Sequence, residues 1–181
     1  IPSQNWGHKE WRREFDTMKE TGIDTVIIIR ASLRDMAIFP SETLGVCDVP
    51  DLAKMFLDEA ERCGMKLFFP SHESGALRPD WSNWKDDWEI CQKFLPEVMQ
   101  RYGDHPAFYG WYIAPENCRY TPGIVEIYKR YSGLMKELAD KPVLISPWFP
   151  SDVYLTASKE ERHGHFVRDW QRIFREVKDI D

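Results

Sequence analysis

The sequence predicts an α/β domain of the (β/α)8 TIM-barrel type, built on a parallel sheet and present here as a partial barrel of four strands and five helices. Short, continuous apolar runs are typical of strands that helices cover on both faces. Amphipathic helical segments separate these runs. The predicted strands start about 35 to 42 residues apart, which is the spacing of a barrel with long loops. A doubly wound open sheet is the competing architecture, although no glycine-rich nucleotide-binding motif follows any strand.

The strands share one pattern, in which an amphipathic helix ends, a glycine follows, and a solid apolar run begins. "MKETGIDTVIII" and "AERCGMKLFFP" show it most clearly. Gly22 and Gly64 suit the left-handed conformation just past a helix end. We predict strands over 24–29, 66–70, 107–113 and 142–147.

Five helices are predicted from apolar residues spaced three and four apart, which form one face of each helix. Cys63 and Cys91 fall on such faces and are expected to be small core residues. Since the four cysteines form no C-x-x-C pair, a zinc site is not expected. The faces comprise Trp11, Phe15 and Met18; Leu52, Phe56, Ala60 and Cys63; Trp88, Cys91, Leu95, Val98 and Tyr102; Ile124, Ile127, Tyr131, Leu134 and Leu138; and Phe166, Trp170, Ile173 and Val177.

Composition excludes several classes of partner. The net charge of −6 argues against nucleic acid and anionic membranes, which require a basic surface. No apolar run approaches the ~20 residues of a membrane span. The eight tryptophans are unusual, and several lie in polar stretches. A tryptophan there either covers a core edge or offers a flat platform to a ligand.

The long connections all follow strands, over 30–49, 71–84, 114–121 and 147–159. Loops at the carboxyl ends of parallel strands build the active sites of α/β folds. These loops are rich in carboxylates, arginines and aromatic residues. Such a rim suits a polar, ring-shaped ligand better than an apolar one.

Residues 1–181 are expected to form one domain that is part of a barrel. Eight strands typically need ~250 residues, and we expect one strand before Ile1 and about three after Asp181. An open sheet would require either a missing barrel half or a dimer to cover its edges. On this count "AFYGWYI" is the fourth strand, and Glu116 lies just beyond its end.

Four stretches resemble a bacterial barrel family known as domain of unknown function 4434, which is regarded as glycosidase-like. They are "WRREFDTMKETGIDTVII", "LDEAERCGMKLFF", "RYGDHPAFYGWYIAPEN" and "YSGLMKELADKPVLISPWF". In the large clan of retaining barrel glycosidases, the acid/base glutamate ends strand four and the nucleophile ends strand seven. The resemblance therefore implies that Glu116 is the acid/base. The clan usually has asparagine just before this glutamate, whereas here Pro115 precedes Glu116 and Asn117 follows it.

The candidate catalytic residue is thus Glu116, and its alternative role is to pair with Arg119 or Arg30 and tie rim loops together. The nearby Trp111, Tyr112 and Trp148 would desolvate its carboxyl group and stack on a sugar. The second carboxyl that hydrolysis requires is expected beyond Asp181, with Glu73 and Asp152 as rim candidates within the chain. The predicted substrate-binding residues are His72, Glu73, Trp111, Asn117 and Trp148.

The leading hypothesis is a secreted or periplasmic, glycoside hydrolase-like enzyme with a carbohydrate ligand and no cofactor. This chain contains no signal peptide, and because it begins at Ile1 without methionine, that absence says little about localisation. A non-catalytic glycan-binding barrel is the alternative, and a metal-dependent hydrolase ranks third. His163 and His165 are separated by one residue in a helix-like stretch, so they do not share a face and a metal site is not expected. No G-x-S-x-G motif is present.

Overall fold

The computed structural model describes residues 6–45, 51–148 and 158–181. The predicted rim carboxylate Asp152 lies outside these ranges. In chain order the elements are α1 (His8–Glu20), β1 (Thr25–Ile27), β2 (Ser32–Leu33), β3 (Met36–Ala37), α2 (Leu52–Cys63), β4 (Lys66–Pro70), α3 (Trp84–Tyr102), β5 (Phe108–Tyr112), α4 (Pro122–Leu138), β6 (Val143–Leu144) and α5 (Lys159–Glu176).

The predicted parallel sheet is confirmed, with its four strands in the order β1-β4-β5-β6. Each strand pairs with the next strand of the sheet in chain order, as in a barrel, whereas a doubly wound sheet reverses direction at a switch point. Three strands are shorter than predicted. Pairing nevertheless continues past two of them, because Ile28 N donates to Phe68 O at 3.1 Å and Ile113 N donates to Leu144 O at 2.9 Å.

The main core lies between this sheet and the helices. It contains Phe108, Trp111 and Ile113 from β5 and the residues just after it, together with the inner faces of all five helices. A smaller cluster on the other face of the sheet joins Phe68 and Tyr112 to Ala114. Successive side chains of a strand point to opposite faces, so β5 sends Trp111 towards the helices and Tyr112 towards the barrel interior.

Local predictions at the helix ends hold as well. Gly22 and Gly64 have φ values of 85° and 70°, the left-handed conformation expected of them. Cys63 and Cys91 are buried core residues, as predicted. No helix in the described ranges is both long enough and apolar enough to cross a membrane.

An antiparallel hairpin, β2–β3, is an addition that the sequence analysis missed. It lies in the long connection after β1 and pairs Ser32 with Ala37 and Leu33 with Met36. Its turn contains Arg34 at φ 58°, a conformation that glycine usually adopts. Two residues per strand are too few to show an alternating pattern. The hairpin directs Ser32, which is 3% exposed, beneath the rim.

Strand β1 forms one edge of the sheet and leaves apolar side chains in solvent. Ile27 and Ile29 are 41% and 56% exposed. Beside them lies a groove of about 460 Å³, whose wall includes Trp11 and Phe56. At the other edge, Asp181 N donates to Val143 O at 3.1 Å, so the end of the chain runs alongside β6.

Candidate functional site at the carboxyl ends of the strands

Four polar side chains meet at the carboxyl end of the sheet, and we call them the rim cluster: Arg30, Glu73, Tyr112 and Glu116. Arg30 Nε donates to Glu73 Oε2 at 2.9 Å. The Tyr112 hydroxyl donates to Glu116 Oε1 at 3.2 Å. Arg30 follows β1 and Glu73 follows β4. Tyr112 is the last residue of β5, and Glu116 follows that strand. Three neighbouring parallel strands thus bring together residues that are far apart in sequence.

Electrostatic coupling joins the two pairs of the rim cluster. The pKa of Arg30 is raised, first by its hydrogen bond to Glu73 and then by the charge of Glu73, with further contributions from Glu116 and Tyr112. Desolvation, followed by the charge and hydrogen bond of Glu116, raises the pKa of Tyr112 to about 12. Arg30 therefore stays charged at neutral pH, and Tyr112 stays protonated and able to donate to Glu116.

Three members of the rim cluster are accessible to a ligand, whereas Tyr112 is 1% exposed. Glu116 is exposed, and the side chains of Arg30 and Glu73 are 55% and 17% exposed. Within the described ranges, Glu116 forms no ion pair with Arg30 or Arg119, since Arg30 pairs with Glu73 instead. The loop-tying alternative for Glu116 therefore has no direct salt bridge to support it.

Asn117 links two rim loops through hydrogen bonds of its side chain. It is 3% exposed, its Oδ1 accepts a hydrogen bond from Trp81 Nε1 at 3.1 Å, and its Nδ2 donates to Arg119 O. The Trp81 turn packs so closely on α4 that a Cβ at Gly123 would lie 2.2 Å from Trp81 O. This geometry favours a role in holding Glu116 in place over the predicted contact with substrate.

The two predicted tryptophan platforms differ in exposure. Trp111 is 0% exposed and packs edge-on against Phe108 with ring centroids 4.9 Å apart. A fully buried indole cannot stack on a ligand, so we remove Trp111 from the candidate site. Trp148 is 44% exposed, and its backbone N donates to Asn117 O at 3.3 Å. It therefore lies next to the turn that carries Glu116.

His72 lies beneath the rim and does not reach its surface. It is 0% exposed, and its Nδ1 lies 2.9 Å from Ser32 Oγ. Desolvation is the main reason that the pKa of His72 is lowered, so the imidazole is neutral at neutral pH. Of the two neighbouring residues predicted to bind substrate, Glu73 faces the candidate site, whereas His72 lies beneath it.

The remaining candidates for metal chemistry do not assemble a site. The described residues contain no group of three or more His, Cys, Asp or Glu side chains arranged around a metal position. His163 and His165 are exposed residues of α5.

The sequence did not predict the contacts that two members of the rim cluster, Arg30 and Tyr112, make in the site. Arg30 was expected on the rim but not as the counter-ion of Glu73. Tyr112 was expected to desolvate Glu116, whereas it donates a hydrogen bond to it. The available signal was the alternation along β5, which places Tyr112 and not Trp111 on the side of Glu116.

Comparisons with known proteins identify the family and the fold of the chain. The family model described as Domain of unknown function (DUF4434) matches residues 1–181, which confirms the predicted resemblance. The crystal structure of a candidate α-L-fucosidase from Bacteroides thetaiotaomicron is 31% identical and superimposes with a TM-score of 0.88, covering 100% of this chain and 58% of that one. The present chain thus spans about 58% of that protein's length.

A second crystal structure, of a bacterial fucosidase with a bound inhibitor, is 12% identical and has a TM-score of 0.51. It covers 77% of this chain and 33% of that chain, and it supports the fold alone. No curated protein matches the sequence. The chain therefore has a glycoside hydrolase-like, TIM-barrel-type fold.

Proposed function

The chain belongs to the DUF4434 family, and we propose that it forms part of a carbohydrate-active, glycoside hydrolase-like barrel whose ligand binds at the rim cluster. One observation carries the proposal. Two carboxylates, Glu73 and Glu116, follow neighbouring strands at the carboxyl end of the sheet and are coupled to one guanidinium and one phenol. Sugar hydroxyls are recognised by such paired donors and acceptors.

Glu116 is the proposed acid/base. Its exposed carboxyl group can reach a glycosidic oxygen, and the Tyr112 hydroxyl restricts its orientation through Oε1. Glycoside hydrolysis uses two carboxyl groups, one to protonate the leaving group and one to act as nucleophile or base. Glu73 is already ion-paired with Arg30, which favours a binding role. We therefore propose that the second catalytic carboxylate comes from a part of the barrel outside this chain.

The proposed ligand contacts are Glu73, Arg30 and Trp148. The exposed indole of Trp148 offers an apolar face to a sugar ring. The guanidinium of Arg30 uses Nε for Glu73, which leaves the rest of its planar fork to donate to ligand oxygens. Because the neighbour that spans the whole chain is a candidate α-L-fucosidase, we propose α-L-fucosides as the substrate class.

Further polypeptide is proposed to close the barrel. Edge strands with exposed apolar side chains readily pair with another strand, and β1 exposes Ile27 and Ile29. The chain spans 58% of the longer neighbour. Slow amide exchange along β1 in a full-length protein would support closure of this edge, and rapid exchange there would contradict it.

A non-catalytic glycan-binding barrel is the second candidate. It is favoured by the Pro115-Glu116-Asn117 order, because the asparagine that precedes the acid/base in the glycosidase clan is absent. Asn117 itself is occupied by Trp81 and Arg119. In this case the rim cluster would bind a sugar without cleaving it.

Replacement of Glu116 by Gln tests the catalytic proposal, with α-L-fucosides whose leaving group needs protonation, such as methyl α-L-fucopyranoside, as substrates. Loss of a general acid lowers kcat by about 100-fold or more. Glu89→Gln, at an exposed position of α3, is the matched control and should retain the parent rate. A parent rate in Glu116→Gln would reject Glu116 as the acid, while sugar binding by a parent that turns over no glycoside would favour the binding barrel.

A further inference from the structure

A polar junction of Ser71, His72 and Ser74, the residues around Glu73, lies directly beneath the rim cluster. Ser71 Oγ accepts a hydrogen bond from Ala114 N at 3.0 Å, just after β5. His72 Nδ1 contacts Ser32 Oγ in β2 at 2.9 Å. Ser74 N donates to Asp87 Oδ2 in α3 at 3.0 Å. The residues around Glu73 thus contact three different parts of the fold, Ser71 and His72 through their side chains and Ser74 through its backbone amide.

Asp87 makes the contact to the helix layer. It is 0% exposed and lies in the first turn of α3, where the helix dipole favours a negative charge. Its charge acts on three buried neighbours. Desolvation is the main cause of the raised pKa values of Cys91 and Tyr131, to which the charge of Asp87 adds a smaller contribution. The same charge partly opposes the desolvation that lowers the pKa of His72. The carboxylate therefore faces the interior side of the junction.

The hydrogen bonding of Asp87 is incomplete. Its Oδ1 has no partner among the described residues, and the same holds for His72 Nε2. A buried carboxylate with one hydrogen bond is a poor choice for stability, because an apolar side chain of similar volume often replaces a buried charge without loss. Unsatisfied buried groups of this kind concentrate where function constrains the sequence. Here they flank Glu73.

We propose that Asp87 is a positioning residue of the rim cluster, which holds the Ser74 amide and thereby directs Glu73, with its partner Arg30, towards the bound sugar. The proposal rests on the proposed function for the identity of the ligand. The positioning of Glu73 by Asp87 does not depend on any ligand, because Asp87 acts through Ser74 N and not through contact with substrate. Removing its carboxylate therefore frees the backbone at Ser74 and weakens ground-state binding at Glu73.

Asp87→Ala tests this proposal, with Asp86→Ala as the matched control. Asp86 is exposed in the same helical turn, so both substitutions remove the same charge from the helix start. Amide exchange at Ser74 should accelerate about tenfold or more in Asp87→Ala, the effect of losing a hydrogen bond to a charged group. The KM for p-nitrophenyl α-L-fucopyranoside, and the Kd for L-fucose, should rise about tenfold with kcat changed less than about threefold.

Asp87→Asn is the rescue variant, because its amide oxygen still accepts from Ser74 N. It should restore slow exchange and bring KM and Kd back towards the parent values, whereas Asp86→Ala should change neither. Parent-like exchange at Ser74 in Asp87→Ala would overturn the proposal. Faster exchange with parent-like KM and Kd would also overturn it, and would leave Asp87 a purely structural residue. If Asp87→Ala does not fold, Asp87→Ser takes its place with the same expectations.

The proposal can fail separately from the proposed function. If the parent protein neither binds L-fucose nor cleaves any glycoside, the proposed function fails. The position of Glu73 is then read from the Arg30 Nε–H resonance, which reports the hydrogen bond to Glu73. A shift of this resonance in Asp87→Ala, absent in Asp86→Ala, supports positioning by Asp87, and an unchanged resonance overturns it.

Discussion

Helix α3 carries two buried carboxylates, Asp87 and Glu97, that differ in how completely they are hydrogen-bonded. Both hold backbone N–H groups of a distant loop. Asp87 is 0% exposed and has one such bond, from Ser74 N, with its second oxygen unsatisfied among the described residues. Glu97 is 9% exposed, and both of its carboxylate oxygens accept hydrogen bonds. The first lies under the rim, whereas the second lies ten residues further along the helix, near its other end.

Glu97 closes the loop that follows the β2–β3 hairpin. Its carboxylate accepts hydrogen bonds from Ser41 Oγ at 2.9 Å, Glu42 N at 2.7 Å, Thr43 N at 3.1 Å and Arg101 Nε at 3.1 Å. Such complete compensation makes a buried charge stabilising. On α3, the fully hydrogen-bonded Glu97 stabilises the fold, whereas the partly hydrogen-bonded Asp87 is the one that we assign to the site.

The largest expected effect on stability follows from Glu97→Ala. Two backbone amides and one guanidinium lose their acceptor at once, so we expect the free energy of unfolding to fall by about 3 kcal/mol. Urea denaturation at neutral pH measures it. A loss below about 1 kcal/mol would mean that water replaces Glu97 as the acceptor, and that Glu97 does not stabilise the fold in the way described.

Asp87→Asn should have a much smaller effect on stability. The neutral amide still accepts from Ser74 N and avoids the cost of a buried charge, so we expect the free energy of unfolding to change by about 1 kcal/mol or less. The same denaturation experiment, run beside Glu97→Gln, makes the comparison direct. An equal loss in the two variants would remove the distinction between the carboxylates.

Lowering the pH should weaken the hydrogen bonds that the Glu97 carboxylate accepts. Burial alone raises the pKa of Glu97, but the hydrogen bonds from Glu42, Thr43 and Ser41 outweigh it, and the pKa lies below the ordinary value of 4.5. Its contribution to stability is therefore fully present above pH 4.5 and disappears as the pH falls through the folded-state pKa. The stability difference between the parent and Glu97→Gln should shrink below pH 4.5, and a constant difference would contradict the assignment.

The smallest effect is expected for an exposed ion pair. Lys54 and Asp58 lie four residues apart on α2, with side chains 59% and 46% exposed. Lys54→Gln should cost about 0.3–0.5 kcal/mol, because such pairs are screened by water. His105 Nε2 remains 3.3 Å from Asp58 and limits the loss further. Thermal unfolding at low and high salt measures this loss of stability. A loss well above about 0.5 kcal/mol would contradict the expectation that water screens this ion pair.

The sequence was sufficient for the sheet and helices because buried parallel strands appear as solid apolar runs. It was also sufficient to place Glu116 at a strand end. The same apolar runs hide which side chains face the helices, since both faces are apolar. For this reason Trp111 was expected at the site although it lies in the core. Alternation along β5 does place Tyr112 on the side of Glu116, but a solid apolar run does not show which of its two sides faces the helices.

Asp87 illustrates a signal that was available in the sequence. It precedes Cys91 and Phe94 by four and seven residues, so it lies on the buried stripe of α3. A carboxylate at such a position predicts a buried polar contact. The partner, Ser74 N, could not be predicted, because it depends on the path of the loop after β4.

A crystal structure of the full-length protein carrying Glu116→Gln, soaked with an α-L-fucoside, would show whether the rim cluster binds carbohydrate. We predict that the glycosidic oxygen lies within hydrogen-bonding distance of residue 116, with Glu73 and Arg30 on sugar hydroxyls and Trp148 against the ring. A sugar bound elsewhere, with the rim cluster unoccupied, would contradict the assignment of this cluster as the carbohydrate site.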